Sequence, residues 1–211
     1  SRIIYGSTVW VYEAADVEEV DETTSLGIPT HLYTATKLAG EYYCQTYANL
    51  YGLEPTILRY GIPYGPRARP AGVIPEFVRK AQSGEPLTIQ GDGSQYRRFV
   101  YVEDLAEGNV LALKSDAKNK TYNLDGAEET TIRELAETVR DIIGDVEIDY
   151  RPARPGDFSG KTVSTRKARE ELGWAPKIRL EEGVRRYIQW LEQQGKSLDE
   201  RWATVDQRLR A

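Results

Sequence analysis

Tyr33 and Lys37 lie four positions apart in an amphipathic segment that predicts a helix from about residue 30 to residue 51. Positions four apart share one face of a helix, so the phenol and the ammonium group would be neighbours. A nearby cation favours the phenolate form of tyrosine, and such a pair can exchange a proton with a substrate hydroxyl. The same spacing also arises where a half-buried tyrosine lies beside a solvated lysine, and the pair alone does not decide between these alternatives.

Ser7 and Thr8 precede Tyr33 by about 25 residues, in the β-branched and aromatic run 2–12. This run predicts a buried strand with small hydroxyl residues near its carboxyl end. Ligands of open α/β sheets bind outside the carboxyl ends of the strands, which makes both hydroxyls candidate hydrogen-bonding groups. Simple packing of two small residues is the alternative explanation.

Composition excludes several classes of protein. The 211-residue chain has a formal net charge of −5, which argues against binding nucleic acid through phosphate contacts. With one cysteine (Cys44) and one histidine (His31), the chain cannot form an intrachain disulfide, and we expect no metal site. No apolar run is long enough to span a bilayer and no signal peptide is recognisable, so we expect a cytoplasmic protein without membrane contacts.

Predicted strands and helices alternate along most of the chain, which indicates an α/β fold with parallel βαβ units. Gly52 and Gly173 are expected to end helices, and Asp104 and Thr131 to cap them. Pro75 is expected at the first position of a helix. Besides the strand 2–12 and the helix 30–51, we predict strands at 56–60, 86–89, 97–102, 121–124 and 146–150, and helices at 75–83, 104–115, 132–143, 165–172 and 180–194.

The order of several short motifs resembles the extended short-chain dehydrogenase/reductase superfamily. Within it, the chain is most similar to the NAD-dependent nucleotide-sugar epimerases and dehydratases, of the UDP-glucose 4-epimerase type. The motifs that carry the resemblance are Gly6-Ser7-Thr8, Tyr33-x-x-x-Lys37, Leu58-Arg59-Tyr60, Tyr64-Gly65-Pro66-Arg67, Gly91-Asp92-Gly93-Ser94-Gln95 with Arg97–Asp104, Tyr122-Asn123-Leu124, Arg154-Pro155-Gly156-Asp157 and Leu172-Gly173-Trp174.

The resemblance implies a catalytic site with NAD as the cofactor. Thr8 would hydrogen-bond the reacting sugar hydroxyl, and Tyr33 would take its proton and return it later. Lys37 would hold the nicotinamide ribose and favour the phenolate. The resemblance also implies cofactor contacts at Tyr33, Lys37, Ser7 and Tyr60, and contacts with a UDP- or dTDP-sugar at Thr8, Ile62, Leu87, Ile89, Arg97, Arg154 and Asp157. Guanidinium forks suit diphosphate oxygens, in agreement with the two arginines.

The resemblance also predicts how the chain divides. Residues 1–70 would form the C-terminal part of a Rossmann-like NAD-binding domain with a parallel sheet. Residues 71–211 would form a smaller mixed α/β region that binds the nucleotide sugar, with 99–125 packing back on the Rossmann sheet.

The chain departs from the family in its cofactor motif. No Gly-x-x-Gly-x-x-Gly turn occurs in the sequence, although such a turn holds the cofactor pyrophosphate in this family. The first strands of the Rossmann sheet have no counterpart either. We therefore expect an open edge at strand 2–8, which could pair with a second copy, with a rearranged N-terminal part or with a companion fragment.

Two further departures concern the substrate. Ile62 stands where many family members have an asparagine that contacts the substrate, and its side chain cannot donate that hydrogen bond. Val9 and Trp10 follow Thr8, where dehydratases of the family tend to have acidic residues. The first difference argues against the standard UDP-hexose pose, and the second favours an epimerase or a simple oxidoreductase over a dehydratase. A non-catalytic module that binds a sugar nucleotide or serves in assembly is the alternative.

Overall fold

The computed structural model describes residues 1–153 and 161–194. The described strands are β1 (Arg2–Thr8), β2 (Glu19–Val20), β3 (Glu54–Tyr60), β4 (Ile62–Tyr64), β5 (Leu87–Gln90), β6 (Tyr96–Tyr101), β7 (Lys120–Leu124), β8 (Glu129–Thr131), β9 (Ile148–Arg151) and β10 (Thr162–Val163). The described α-helices are α1 (Leu32–Tyr51), α2 (Val73–Gln82), α3 (Val102–Leu111), α4 (Ile132–Ile143) and α5 (Leu180–Gln193). The predicted α/β class is confirmed.

A parallel sheet in the order β1-β3-β7 forms the framework of the candidate site. The register places Ser7 opposite Arg59, and Arg59 opposite Asn123. Because parallel strands end at the same edge of a sheet, three residues that are far apart in the sequence form one row just below that edge. Thr8 occupies the next row, opposite Tyr60.

The predicted ends of several elements agree with the structure. Thr131 forms a capping box with Glu134 at the start of α4. Gly52 ends α1 in the left-handed conformation at φ 66°, and Gly173 does the same at φ 73° after a π-type turn, Ala168–Leu172. Glycine adopts this conformation without steric cost, which is why these sequence signals identified the helix ends.

Several predicted boundaries were wrong. Strand 2–12 ends at Thr8, because the Thr8 side chain accepts a hydrogen bond from the Trp10 amide and caps a short 3₁₀ helix, Val9–Tyr12. Helix α2 begins at Val73, two residues before Pro75. Asp104 lies inside α3 rather than at its N-cap, and its carboxylate instead accepts hydrogen bonds from the backbone amides of Lys177 and Ile178, each at 3.0 Å.

The first of two compact units comprises residues 1–63, 98–127 and 161–178. It contains the segment 99–125, whose strand β7 pairs with β3. It also contains 161–178, which the sequence analysis assigned to the second region. This segment belongs to the first unit because β10 pairs with β2 and because the Trp174 side chain is buried in its core.

The second compact unit comprises residues 64–97, 128–160 and 179–211, of which 64–97, 128–153 and 179–194 are described. It contains a two-stranded parallel sheet of β5 and β9, together with α2, α4 and α5. The side chains of Leu87 and Ile89 on β5 are fully buried. Gly183 on α5 allows close approach of Tyr64, because a Cβ at this position would overlap the Tyr64 ring and hydroxyl.

Gly40 controls how closely α1 approaches β1. The Tyr5 hydroxyl of β1 donates a hydrogen bond to the Lys37 carbonyl oxygen at 3.1 Å, and a Cβ on Gly40 would overlap that hydroxyl. Gly40→Ala is therefore expected to destabilise the fold by about 1–3 kcal/mol through overpacking. Chemical denaturation measures the effect, with Ala39→Ser at the exposed neighbouring position as the control. Equal stability of Gly40→Ala and the parent protein would contradict this close contact.

Candidate active site

The Tyr33–Lys37 pair lies in the first two turns of α1. The Tyr33 side chain is 55% exposed, and the Lys37 Nζ atom lies 6.0 Å from the centroid of its ring. The same Nζ atom donates a hydrogen bond to the Gly6 carbonyl oxygen of β1 at 2.9 Å. Lys37 therefore lies near the Tyr33 ring, as the spacing predicts, and it also contacts the carboxyl-terminal part of β1.

Thr8 is the last residue of β1 and is 3% exposed. Its Oγ1 atom accepts a hydrogen bond from the Trp10 amide at 3.2 Å. A hydroxyl has one proton to donate and two acceptor positions, so this cap leaves the proton of Thr8 available for a ligand oxygen. Thr8 ends the same strand that Lys37 contacts at Gly6, and this position is compatible with its predicted role.

Ser7 has a different environment from the one that its predicted cofactor contact implies. The residue is buried, and its hydroxyl donates a hydrogen bond to Glu41 Oε1. Its single proton is therefore directed into the protein rather than towards a ligand. The structure places Ser7 beneath the candidate site, and its contact with a cofactor stays a prediction.

A buried ion pair lies directly behind these residues. Arg59 on β3 binds the Glu41 carboxylate with two hydrogen bonds, from Nε to Oε1 at 3.0 Å and from Nη2 to Oε2 at 2.7 Å. Both side chains are almost inaccessible, at 7% and 2% exposure. A bidentate pair of this kind has a defined geometry, so it fixes α1 and β3 relative to each other.

Tyr12 and Asn123 extend this pair across the sheet. Arg59 Nη1 donates to the Tyr12 hydroxyl at 2.7 Å, and that hydroxyl donates to Asn123 Oδ1 at 2.9 Å. Asn123 Nδ2 in turn donates to the Ser164 carbonyl oxygen at 3.1 Å. We refer to Ser7, Glu41, Arg59, Tyr12 and Asn123 as the buried network. It satisfies polar groups that would otherwise be costly to bury.

Burial raises the pKa of the Tyr12 hydroxyl from 10.0 to about 12, although the neighbouring Arg59 opposes this shift. A folded-state pKa above the unfolded value contributes stability that is present below pH 10 and is lost as the pH rises towards 12. We expect unfolding titrations to show a loss of stability across this interval that is smaller in Tyr12→Phe. Tyr42→Phe, at an exposed position, should keep the parent profile. Identical profiles for Tyr12→Phe and the parent would contradict the assignment.

The buried network was missed by the sequence analysis. Glu41 follows Lys37 by four residues and Tyr33 by eight, which places all three along one face of α1. It is also the single charged residue between Leu38 and Leu53, and a lone charge in an apolar and aromatic segment indicates burial with a partner. That signal pointed to Glu41, but it did not identify Arg59.

Tyr60 and Ile62, which were predicted to contact cofactor and substrate, follow Arg59 in the first unit. The Tyr60 hydroxyl donates to Asn109 Oδ1 at 2.7 Å, and burial raises the pKa of this hydroxyl. The Tyr60 ring packs on Gly6, where an added Cβ would lie 3.0 Å from the ring. Ile62 is a partly buried residue of β4. Their contacts with ligands stay predictions.

Three of the remaining predicted substrate residues, Leu87, Ile89 and Arg97, lie in the second unit. Arg97 belongs to β6, and its Nη1 atom donates to the Tyr96 carbonyl oxygen at 2.7 Å. Because Leu87 and Ile89 have fully buried side chains, a contact of these two residues with a base would involve their backbone. Arg154 and Asp157 lie outside the described residues.

Residues 1–153 and 161–194 hold no group of three or more histidine, cysteine, aspartate or glutamate side chains arranged to bind a metal ion. In the same part of the chain, no helix has the length and apolar character needed to cross a bilayer.

Comparison with known proteins identifies the family. Residues 1–125 match the family model described as the NAD dependent epimerase/dehydratase family. The chain belongs to this family. Among solved structures, it is similar to the UDP-glucose 4-epimerase of Thermotoga maritima with UDP-glucose. The two chains share 34% identity at a TM-score of 0.85, over 92% of this chain and 64% of the other.

Two 4-epimerases are also similar to most of this chain, and in each case the chain covers only part of the longer protein. The UDP-glucuronic acid 4-epimerase of Bacillus cereus, solved with UDP-glucuronic acid and NAD, is 30% identical with a TM-score of 0.83, over 91% of this chain and 62% of that one. The UDP-glucuronate 4-epimerase of Thermodesulfobacterium geofontis is 31% identical over 191 residues, which are 90% of this chain and 58% of that protein.

The chain therefore spans less than two thirds of the length of each of these relatives. The part that it shares with them is a portion of a Rossmann-type α/β fold, as the sequence motifs predicted. Family membership and partial Rossmann character are thereby confirmed.

Proposed function

We propose that this chain carries the acid–base and nucleotide-sugar-binding part of an NAD-dependent nucleotide-sugar 4-epimerase. The observation that carries the proposal is the position of Lys37, whose ammonium group lies close to both the exposed Tyr33 ring and the carboxyl-terminal part of β1. This arrangement supplies a phenol that could transfer a proton, a cation beside its ring and a hydroxyl donor at Thr8.

Each of the three residues has a distinct role in the proposed reaction. Thr8 donates a hydrogen bond to the reacting sugar hydroxyl and orients it. Tyr33 accepts the proton of that hydroxyl during oxidation and returns a proton during reduction, as general acid–base catalysis requires. Lys37 holds the nicotinamide ribose and places a compact positive charge beside the Tyr33 ring.

NAD supplies hydride acceptance and donation when it is bound. Tyr33 and Lys37 fit its nicotinamide ribose, because the phenol is exposed and the ammonium group lies beside it at the end of the sheet. The pyrophosphate lacks a comparable site, because the sequence contains no Gly-x-x-Gly-x-x-Gly turn. We therefore expect the chain by itself to bind NAD weakly.

The proposed substrate is a UDP- or dTDP-sugar. The relatives solved with UDP-glucose and with UDP-glucuronic acid support this class of ligand. Arg97 and Arg154 would contact the diphosphate, and Asp157 the nucleotide ribose. The apolar residues Val9 and Trp10 that follow Thr8 favour epimerisation over dehydration, because elimination requires a further acid or base.

A non-catalytic module for a sugar nucleotide or for assembly is the second candidate. It is favoured by the absence of a Gly-x-x-Gly-x-x-Gly turn from the 211 residues of the sequence. In either function, the open edge of β1 could pair with a second copy of the chain, since β1 has β3 as its neighbour on one side in the described sheet. A stable monomer in light scattering, with amides of residues 2–8 protected from exchange, would contradict this pairing.

Isothermal titration calorimetry separates the two functions. The chain is titrated with NAD, with UDP and with UDP-glucose, and turnover is assayed in the presence of both cofactor and sugar nucleotide. Binding of UDP or UDP-glucose with turnover supports the enzyme. Binding of the sugar nucleotide without turnover, under all cofactor concentrations, supports the module. A chain that binds neither UDP nor UDP-glucose would refute both.

A further inference from the structure

We infer that Glu41 and Arg59 are positioning residues, whose buried ion pair sets the placement of Thr8 relative to Tyr33 and Lys37. The inference rests on the proposed function. Neither residue reaches the surface, since their side chains are 2% and 7% exposed, so their effect on a ligand would be indirect. Their contacts nevertheless connect the two segments, β1 and α1, that carry the proposed catalytic residues.

Thr8 is held from both sides by the buried network. On its N-terminal side, the Ser7 hydroxyl donates to Glu41. On its C-terminal side, Tyr12 ends the 3₁₀ helix that Thr8 caps, and the Tyr12 hydroxyl accepts a hydrogen bond from Arg59 at 2.7 Å. The backbone on either side of Thr8 is therefore attached to one or the other partner of the ion pair.

The face of α1 that carries Tyr33 and Lys37 is attached to the Glu41–Arg59 ion pair. Glu41 lies one turn after Lys37 and about two turns after Tyr33, on the same face of the helix. The two hydrogen bonds from Arg59 constrain both the distance and the orientation of this face relative to β3. Because Ser7 and Arg59 are register partners, β1 and β3 share the constraint.

The need for directional contacts explains why charged residues occupy this position. A buried ion pair adds little net stability, because the attraction between the charges is offset by their desolvation, and apolar residues of similar volume are often as stable. An apolar pair would fill the space without fixing the orientation of α1. The two hydrogen bonds between the Arg59 guanidinium and the Glu41 carboxylate have one favourable geometry. This geometry constrains both the face of α1 that carries Tyr33 and Lys37 and the backbone around Thr8.

The test separates positioning from stability by removing both charges at once. In the double variant Glu41→Gln/Arg59→Met, residue 41 still accepts a hydrogen bond from Ser7 and the Tyr12 hydroxyl can still bond to Asn123. We expect its thermal midpoint to stay within a few degrees of the parent value. We expect kcat to fall by about 10²-fold, with a smaller change in KM, because the reacting groups are displaced.

A second readout does not depend on turnover. The Trp10 amide donates to Thr8 Oγ1, so its hydrogen exchange reports the turn that contains Thr8. In the double variant, we expect this amide to exchange about 10-fold faster or more, whereas amides of α4 in the second unit keep their parent rates. If the parent protein shows no turnover, the proposed function fails, and this exchange rate still decides the inference.

Arg59→Lys provides an independent variant if the double variant does not fold. It keeps the buried positive charge and removes the planar fork. Faster Trp10 exchange with unchanged exchange in α4 supports positioning, as does a lower kcat at nearly constant KM. Parent values of both kcat and Trp10 exchange, in whichever of the two variants folds, would overturn the inference.

Discussion

Tyr33→Phe is expected to lower turnover of a nucleotide sugar by about 10²-fold or more, because it removes the proposed general acid–base group. The substitution deletes one exposed hydroxyl and leaves the ring, so the stability of the fold should not change. The measurement is the rate of epimerisation with NAD and a UDP-sugar at saturation, together with the thermal midpoint of each protein.

Tyr42→Phe is the matched control for this experiment. Tyr42 lies on the same helix and is 58% exposed, close to the 55% of Tyr33, but it is not adjacent to Lys37 in the helical repeat. We expect the control to retain the parent rate. Equal rates for Tyr33→Phe and Tyr42→Phe would remove Tyr33 from the mechanism and leave the proximity of Lys37 without a catalytic meaning.

Arg59→Met is expected to destabilise the protein by about 3–5 kcal/mol, because it leaves the Glu41 carboxylate buried without its charged partner. Glu41→Gln should have a similar effect, since it leaves the Arg59 guanidinium buried without its charged partner. Denaturant titration measures the change in the free energy of unfolding. The effect of either single substitution should exceed that of the double variant, in which no charge is left buried and unpaired.

Arg185→Met is the control for the loss of an ion pair as such. Arg185 binds Glu181 at 2.8 Å, but the two side chains are 48% and 66% exposed. An exposed pair of this kind contributes less than about 1 kcal/mol, because water screens the charges. If Arg59→Met is no more destabilising than Arg185→Met, the Glu41–Arg59 pair is not isolated from solvent as the structure indicates.

The two predictions concern different properties of the same site. Substitution of Tyr33 should change the rate and spare the stability, whereas single substitutions of the ion pair should reduce the stability first. The contrast follows from burial: Tyr33 presents its phenol to solvent, and Glu41 and Arg59 are enclosed. A protein in which both types of substitution affected only the rate would be inconsistent with this division.

Local sequence signals determined much of the architecture. The spacing of Tyr33 and Lys37 identified the helix face, and Thr131, Gly52 and Gly173 marked helix ends that the structure confirms. These signals succeed because capping and left-handed glycine are properties of a few adjacent residues. The order of the motifs identified the family, since it reflects the succession of strands and helices along the chain.

Long-range contacts explain what the sequence analysis did not predict. The 3₁₀ helix after Thr8 has a local cap, but its last residue, Tyr12, is held by Arg59 and Asn123, which lie 47 and 111 residues away. The sequence predicts that Asp104 caps a helix, but its carboxylate accepts hydrogen bonds from the backbone amides of Lys177 and Ile178, 73 and 74 residues later. No local pattern contains this information, because it depends on which segments meet in the folded sheet.

The sequence by itself determined that the chain is an α/β member of the epimerase/dehydratase family with a tyrosine–lysine pair on one helix. Only the tertiary structure decided that Ser7 is directed to Glu41 rather than to a ligand, and that Arg59 joins α1 to the sheet beneath Thr8. The physical reason is that helix faces and caps arise from neighbouring residues, whereas the partner of a buried charge is set by strand register.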